Sequence, residues 1–252
     1  MVALYDMHCH LGFASDDQSS ALFSDEEAAG GFLSATVTPG EYQELLSRED
    51  ISPKVRVALG IHPHWVSQGI CDGDALDKFL QFAPDVPIIS EVGLDSRKKW
   101  VGQKESQLRV FRQVLEACRG GQKLLSVHTS EAEMETMDLM EEYGTFRDNR
   151  CIFHWYSGSC EGLHRAIKLG SYFSCGRKMT VSKRGREYLK VIPADRLLLE
   201  TDFPREAGDA YSLEEHLAAL QEILTAIEDI RGERLGDRIA GNSGELLESV
   251  AR

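Results

Sequence analysis

The stretch Val2-Ala3-Leu4-Tyr5-Asp6-Met7-His8-Cys9-His10 has the pattern of a short apolar strand that ends in two histidines. Alternate side chains of a β-strand point to the same face, so His8 and His10 can offer two imidazoles to one metal ion. A His-x-His pair by itself is more often packed or solvent-exposed than bound to metal. Its meaning therefore depends on whether further metal ligands recur at equivalent places along the chain.

Short apolar segments recur eight times and alternate with longer amphipathic segments, which is typical of repeated βα units. The clearest helical patterns cover residues 103–118 and 213–231, where apolar residues recur every three or four positions. Eight βα units in 252 residues match a barrel of eight parallel strands. We therefore predict an α/β fold, a (β/α)8 TIM-type barrel that forms one domain over residues 1–252. The predicted strands are 2–7, 32–37, 55–59, 87–90, 123–127, 151–153, 171–174 and 196–201.

The composition limits the classes of function. A net charge of −13 argues against a surface that coats nucleic acid or seeks membranes, so a polyanionic substrate must be bound by a local group of cations. The six cysteines are scattered without a C-x-x-C pair and are predicted to be reduced thiols. The sequence shows neither a signal-peptide pattern nor an apolar run of membrane length, which favours a cytoplasmic protein.

Metal-competent residues follow the predicted strands at the end where barrel active sites lie. Taken singly, each has a structural alternative: Glu91 could cap a helix, Asp202 could begin a turn, and a histidine could be packed in the core. Their joint occurrence on one rim favours a metal site, because buried strands are otherwise apolar. His164 and His216 lie inside helical patterns and are predicted to be structural or surface residues. The rim residues are His8 and His10 after strand one, His62 and His64 after strand three, Glu91 after strand four, His128 after strand five, His154 after strand six and Asp202 after strand eight.

In order and spacing, six motifs resemble those of the TatD family of metal-dependent hydrolases, within the wider amidohydrolase-like barrels. The resemblance covers nearly the whole chain and implies a TIM-type barrel with its metal site at the carboxyl ends of the strands. The motifs are Asp6-Met7-His8-Cys9-His10-Leu11, Gly60-Ile61-His62-Pro63-His64, Glu91-Val92-Gly93-Leu94-Asp95, Val127-His128-Thr129, Phe153-His154-Trp155-Tyr156-Ser157-Gly158 and Leu199-Glu200-Thr201-Asp202-Phe203-Pro204.

The resemblance also implies the composition of the site. Two divalent metal ions are expected, with His62 as a contact to substrate phosphate or a supporting residue and His64 as a weaker candidate for substrate binding. The family-level activity is that of a deoxyribonuclease, exonuclease-like in the 3'-5' direction on DNA ends. The implied ligands are His8, His10 and Asp202 for the first ion, His128 and His154 for the second, and Glu91 as the bridge between them.

The chemistry of these residues agrees with that assignment. Imidazoles and carboxylates without cysteine suit Zn²⁺, Mn²⁺ or Mg²⁺, and a carboxylate such as Glu91 can bridge two ions. A metal-bound hydroxide then becomes available near neutral pH and attacks a phosphoester, while the ions neutralise charge on the phosphoryl oxygens. We expect Asp202 to orient or deprotonate the attacking water, which makes Asp202 and Glu91 the predicted catalytic residues.

A basic segment, residues 176–186, interrupts the acidic sequence with five cations and no acid. Such a run is often a solvated helix face. It follows strand seven, however, and the loops after strands seven and eight commonly bind phosphate in barrels. Arg177 and Lys178 are therefore predicted to bind the substrate anion, and Arg97 with its two lysine neighbours could contribute.

The surroundings of the predicted metal site depart from the family pattern. The loop after Asp202 is short, and Glu245 stands where the late family motif has an arginine. These departures keep two alternatives open. One is a metal-dependent hydrolase of a small non-nucleotide phosphoester, ester, lactone or amide. The other is a metal-stabilised subunit that binds a partner and has low turnover. The oligomeric state cannot be predicted from the sequence.

Overall fold

A computed structural model describes residues 2–14, 29–49, 51–71 and 73–250. Each of the eight predicted strands is present, which confirms the predicted alternation of strands and helices. The strands are β1 Leu4–Cys9, β2 Ala29–Ser34, β3 Val55–Val57, β4 Ile88–Asp95, β5 Leu124–Ser130, β6 Arg150–His154, β7 Tyr172–Cys175 and β8 Leu197–Leu199.

Helices connect the strands and cover the outside of the sheet. The two strongest helical patterns in the sequence correspond to α4 and α10, whose apolar faces are buried against the strands. No helix of the described ranges combines the length and the apolar content that crossing a membrane requires. The α-helices of the described residues are α1 Pro39–Leu46, α2 Pro63–Ser67, α3 Gly73–Phe82, α4 Lys104–Ala117, α5 Glu133–Glu142, α6 Thr145–Asp148, α7 Cys160–Lys168, α8 Arg177–Val181, α9 Lys183–Val191, α10 Leu213–Arg231 and α11 Gly236–Ser249.

All neighbouring strands are parallel and follow chain order, in one sheet of β1 to β3 and a second of β4 to β8. Backbone hydrogen bonds join the two sheets at both edges. The amide of Leu59 donates to the carbonyl of Ile88 at 3.0 Å, and the amide of Asp202 donates to the carbonyl of His8 at 3.0 Å. The eight strands thus follow the course of a TIM-type barrel, as predicted.

Two central strands are longer than predicted. The sequence places Glu91 and His128 just after apolar runs, whereas both strands continue past them. The pairing shifts register between Ile89 and Val92 and then resumes, with Gly93 beside His128. The apolar pattern stops earlier than the backbone ladder because side chains at the mouth of the barrel face a polar cavity rather than the core.

The lower half of the barrel is filled by an apolar layer that the C-terminal helix closes. Leu246 and Leu247 of α11 pack against side chains from the strands, and Met7 belongs to this layer. The pairing of β1 with β2 shifts register between Asp6 and Cys9, and such an irregularity redirects side chains. Met7 therefore faces the apolar layer while its neighbour His8 faces the polar cavity above. The strand members of this layer are Met7, Leu33, Ala58, Ile88, Leu124, Ile152 and Leu198.

The carboxylate of Asp6 connects the first strand to the last. Its side chain is fully buried, and Oδ2 accepts hydrogen bonds from Thr201 Oγ1 at 2.6 Å and from Thr201 N at 3.1 Å. His216 Nε2 lies 2.5 Å from the same oxygen, and Tyr211 donates its hydroxyl to His216 Nδ1 at 2.6 Å. His216 is therefore a buried structural residue.

We expect Asp6→Ala to lower the free energy of unfolding by about 3 kcal/mol or more, because it leaves the buried donors of Thr201 and His216 without an acceptor. Urea denaturation measures the change. The exposed Asp77 on α3 provides the matched control, and Asp77→Ala should stay within about 0.5 kcal/mol of the wild type. Equal stability of the two variants would show that Asp6 does not hold the first and last strands together.

Candidate active site

A cavity of about 530 Å³ opens at the carboxyl ends of the strands. It brings together most of the residues that the sequence analysis selected, although these residues come from strands far apart in the chain. His8 lies beneath the cavity, and its ring stacks on that of His154 with centroids 3.7 Å apart. The predicted site residues that line the cavity are His10, His62, His64, Glu91, His128, His154, Lys178 and Asp202.

Glu91 occupies the centre of the site. Its side chain is only 3 % exposed, and imidazoles approach both of its oxygens. Burial by itself would raise the pKa of this carboxyl. Electrostatic interactions with His62 and His154 and hydrogen bonds from His128 and His62 outweigh burial and hold the pKa well below its usual range. The nitrogen-to-oxygen distances are 3.5 Å from His8 and 3.6 Å from His10 to Oε2, and 2.7 Å from His128, 3.2 Å from His62 and 3.6 Å from His154 to Oε1.

Neighbouring polar groups determine which nitrogen of each ring faces Glu91. His8 Nδ1 lies 3.1 Å from Ser126 Oγ, and His154 Nδ1 lies 2.9 Å from Glu200 Oε2, so each ring turns its Nε2 toward the centre. His128 has the opposite orientation, with Nδ1 facing Glu91 and Nε2 3.3 Å from Asp95 Oδ2. For His8 and His154, a hydrogen bond on the outer nitrogen leaves the inner nitrogen as a lone-pair donor, which is how metal-binding histidines are usually held. His128 instead lies between two carboxylates, whose hydrogen bonds and charges outweigh burial and raise its pKa to about 9.

The donor atoms fit a divalent metal. The buried Nε2 of His8 has no hydrogen-bond partner among the described residues. Burial lowers the pKa of His8 and of His154, which favours the neutral ligand form of both rings. Neutral imidazoles beside an ionised carboxylate are the ligands that Zn²⁺ and Mn²⁺ use. Ligand atoms lie within 4.8 Å of one another in the groups His8–His10–Glu91, His8–His154–Asp202, His62–Glu91–His128 and His64–Asp95–His128.

Asp202 completes the site from the loop after β8. Its backbone has φ 62°, a left-handed conformation that few residues other than glycine adopt. Main-chain hydrogen bonds to β1, from Asp202 N to His8 O and from His10 N to Phe203 O, hold this conformation. The carboxylate lies 3.4 Å from His10 Nε2. Burial opposes ionisation, but the hydrogen bond from His10 and the electrostatic interactions with His154 and His10 lower the pKa of Asp202 to about 2.

The protonation pattern of His62 differs from that of the other central histidines. His62 Nδ1 accepts a hydrogen bond from the amide of His64 at 3.0 Å, so the neutral ring carries its proton on Nε2 and donates it to Glu91. Burial lowers the pKa of His62 to about 3, which keeps the ring neutral. This hydrogen-bonding arrangement suits a residue that orients Glu91 better than one that binds metal.

His64 belongs to a separate group with Asp95 and Arg97. Its Nε2 lies 2.5 Å from Asp95 Oδ2, and the guanidinium of Arg97 contacts both residues. The cation of Arg97 therefore already occupies the place that a metal ion would take between His64 and Asp95.

Cations at the mouth of the cavity are held on aromatic rings. Lys178 Nζ lies 3.4 Å from the centroid of Trp155, and the guanidinium of Arg205 lies 5.2 Å from that of Phe203. Desolvation and the charge of Arg205 lower the pKa of Lys178, in keeping with two cations converging on one opening. The sequence analysis selected Lys178 together with Arg177, but Arg177 is exposed on α8 and is not among the residues that line the cavity.

Several residues that this geometry brings into the site were not predicted from the sequence. Asp95 and Glu200 stood inside the selected motifs, and each hydrogen-bonds to a histidine from another strand. Their place inside those motifs was the available signal. Arg205, Phe13 and Trp65 also line the cavity, and nothing in the sequence around them pointed there.

Eight parallel strands with histidines and carboxylates at their carboxyl ends define a barrel of the metal-dependent hydrolase class. Within that class, the chain belongs to the TatD related DNase family, whose model matches residues 5–246. Both the predicted family and the predicted hydrolytic activity are confirmed at this level.

Three relatives illustrate the similarity. An uncharacterized metal-dependent hydrolase of Bacillus subtilis, YabD, is 28% identical over 212 residues, which cover 80% of each chain. A 3'-5' ssDNA/RNA exonuclease, TatD of Citrobacter koseri, is 30% identical over 148 residues, covering 58% of this chain and 56% of its own. The crystal structure of the TatD homologue YjjV of Escherichia coli superposes with a TM-score of 0.80 at 20% identity, covering 98% and 97% of the two chains. This last match confirms the TIM-type barrel.

We expect a divalent metal to stabilise the folded protein, because the donor atoms around Glu91 come together only when the strands are paired. At a hundred times the dissociation constant, binding should raise the melting temperature of chelator-treated protein by roughly 5–10 °C. Differential scanning fluorimetry with Mn²⁺ or Zn²⁺ measures the shift. His164→Ala, on the exposed side of α7, should keep it, and Glu91→Gln should lose it. A shift that Glu91→Gln retains would place metal binding elsewhere.

Proposed function

We propose that the protein is a two-metal hydrolase of phosphoester bonds that acts on nucleic-acid ends, as a 3'-5' exonuclease. One observation carries the proposal: imidazoles approach both oxygens of the single buried carboxylate of Glu91. His8 and His10 lie nearest Oε2, and His128 and His154 lie nearest Oε1. A carboxylate approached in this way from both sides suits a bridge between two ions.

In this proposal one ion is held by His8, His10 and Asp202, and the other by His128 and His154, with Glu91 between them. The donor set suits Zn²⁺, Mn²⁺ or Mg²⁺. Ions bound there would supply an activated water and neutralise charge that develops on the phosphoryl group. The Nε2 atom of His8, which has no hydrogen-bond partner among the described residues, supports this use.

Side chains of the protein position the attacking water and the substrate phosphate. Asp202 is ionised at neutral pH, so a carboxylate oxygen can accept a hydrogen bond from the attacking water and then its proton. Lys178 and Arg205 at the mouth bind the phosphate oxygens, since each lies on an aromatic ring and makes no ion pair with a described residue. His62 keeps Glu91 in place through its Nε2 proton.

The proposed substrate rests on two arguments. The family description and the name of the Citrobacter koseri relative both refer to nucleic-acid hydrolysis. In a chain of net charge −13, cations gathered at the cavity supply the local attraction that a polyanion requires. The cytoplasmic location and the single domain over residues 1–252 stay predictions.

We expect Glu91→Gln and His128→Ala to lose bound metal and more than about a hundredfold of activity, because removing even an outer hydrogen-bond partner of a ligand costs about 10- to 100-fold. Metal content by mass spectrometry and release of nucleotides from single-stranded DNA measure the two effects. Circular dichroism checks that the barrel stays folded, and His164→Ala serves as the control. Full activity in either ligand variant would rule out the two-metal site.

We expect Lys178→Met to raise KM for DNA about tenfold or more with little change in kcat, since a charged hydrogen bond to the substrate phosphate is lost. Arg177→Met is the matched control, because it removes the same charge one residue away, at an exposed position, and should change KM less than about twofold. Equal increases in KM would indicate a general charge effect. No increase in either variant would indicate that residues 176–186 are only a solvated helix face.

A substrate panel tests the alternatives. The protein should release nucleotides from DNA ends in the presence of Mn²⁺, Mg²⁺ or Zn²⁺. Turnover confined to small phosphomonoesters, lactones or amides would replace the nuclease proposal with that activity. Absence of turnover on every substrate by metal-loaded protein would favour a partner-binding subunit.

A further inference from the structure

The cavity has an aromatic side that hydrolysis of a phosphoester does not by itself require. Phe13 and Trp65 line it, and we call this pair the aromatic wall. We propose that the aromatic wall is a stacking subsite for the nucleobase next to the scissile phosphate. The inference rests on the proposed function and adds the part of the substrate that the metal centre cannot recognise.

The geometry of the aromatic wall places it directly beside the metal ligands. Phe13 ends the short 3-10 turn Leu11–Phe13 after β1, and its ring stacks on that of His10, with centroids 5.0 Å apart and planes 14° apart. Trp65 lies on α2, and its ring is nearly parallel to that of His64. The centroids of the Phe13 and Trp65 rings are 6.4 Å apart with 28° between their planes, so the two rings stack on one another at the cavity.

Both rings are partly exposed at the cavity. Within the described residues, Phe13 contacts the rings of His10 and Trp65 and belongs to none of the hydrophobic clusters of the core. Large aromatic rings are normally buried, and partly exposed rings beside a ligand-binding cavity are typical of surfaces that a ligand covers.

The chemistry of the two parts of the cavity matches the two parts of a nucleotide. Lys178 of α8 and Arg205 after β8 offer cations to an anion, and the aromatic wall offers ring faces. A nucleotide combines a phosphate with a planar ring, whereas a sugar phosphate or an aliphatic lactone offers no ring. Every base has a π-face, so stacking on Phe13 and Trp65 would recognise a base without selecting its sequence.

The test compares two non-hydrolysable phosphonate ligands, the analogues of thymidine 5'-phosphate and of 1,2-dideoxyribose 5-phosphate, in which hydrogen replaces the base. Calorimetric titration of metal-loaded protein gives both dissociation constants. We expect the wild type to bind the base-containing analogue at least about fivefold more tightly, the lower end of what base–aromatic stacking supplies. Trp65→Leu and Phe13→Leu should reduce this preference for the base. Trp65→Phe should keep most of the preference, because it retains an aromatic ring.

Trp100→Leu is the matched control. Trp100 also contacts the His64 ring, at 5.2 Å, but it is not among the residues that line the cavity, so its removal should leave the preference for the base intact. A merely structural role of Trp65 would weaken both ligands equally and leave their ratio unchanged. An equal affinity of the wild type for both ligands, or an unchanged ratio in Trp65→Leu and Phe13→Leu, would overturn the subsite.

Binding and turnover separate the two proposals. A preference for the base that depends on Trp65, in a protein that hydrolyses no phosphoester, would overturn the proposed activity and leave the stacking subsite in place. Metal-dependent hydrolysis with no preference for the base would overturn the subsite alone.

Discussion

The site depends on burying the ionised carboxylate of Glu91, which is 2 % exposed at the carboxyl end of β4. A buried charge is strongly unfavourable unless it is paired, and the rings of His10, His62 and His128 supply the compensation. Outer partners hold the rings that surround it, as Ser126 does for His8, Glu200 for His154 and Asp95 for His128. The arrangement is therefore defined before any ion binds, which is the condition for a selective metal centre.

The barrel provides the rigidity that this arrangement requires. Asp6 ties β1 to the end of β8 through buried hydrogen bonds, and Asp202 keeps its left-handed backbone only because the same two segments pair. Hydrogen bonds between the first strand and the segment after β8 thus support both Asp6 and Asp202. Below them, the apolar layer closed by α11 separates the polar mouth from solvent at the other end.

Charge is distributed locally rather than globally. The chain carries a net charge of −13, which repels polyanions at long range, yet Lys178 and Arg205 converge at the mouth on the rings of Trp155 and Phe203. A ring stabilises a cation without neutralising it, so both charges remain available to a phosphate. These two cations are thereby concentrated at the mouth of the cavity, in contrast to the broad basic surfaces of proteins that coat nucleic acid.

The sequence by itself determined the barrel, all eight strands and the rim on which the histidines, Glu91 and Asp202 lie, because the period of a strand and the polarity of a βα unit are local properties. It also separated His164 and His216 from the rim, since both fall inside helical patterns. Only the tertiary structure decided which nitrogen of each imidazole faces Glu91, why His62 is turned to donate, and why Lys178 lines the cavity while Arg177 does not. Those outcomes depend on contacts such as His128 with Asp95, His154 with Glu200 and Phe13 with Trp65, which join residues from different strands and loops. Local periodicity holds no information about such distances, because they are set when the strands pair and the loops meet at the mouth of the barrel.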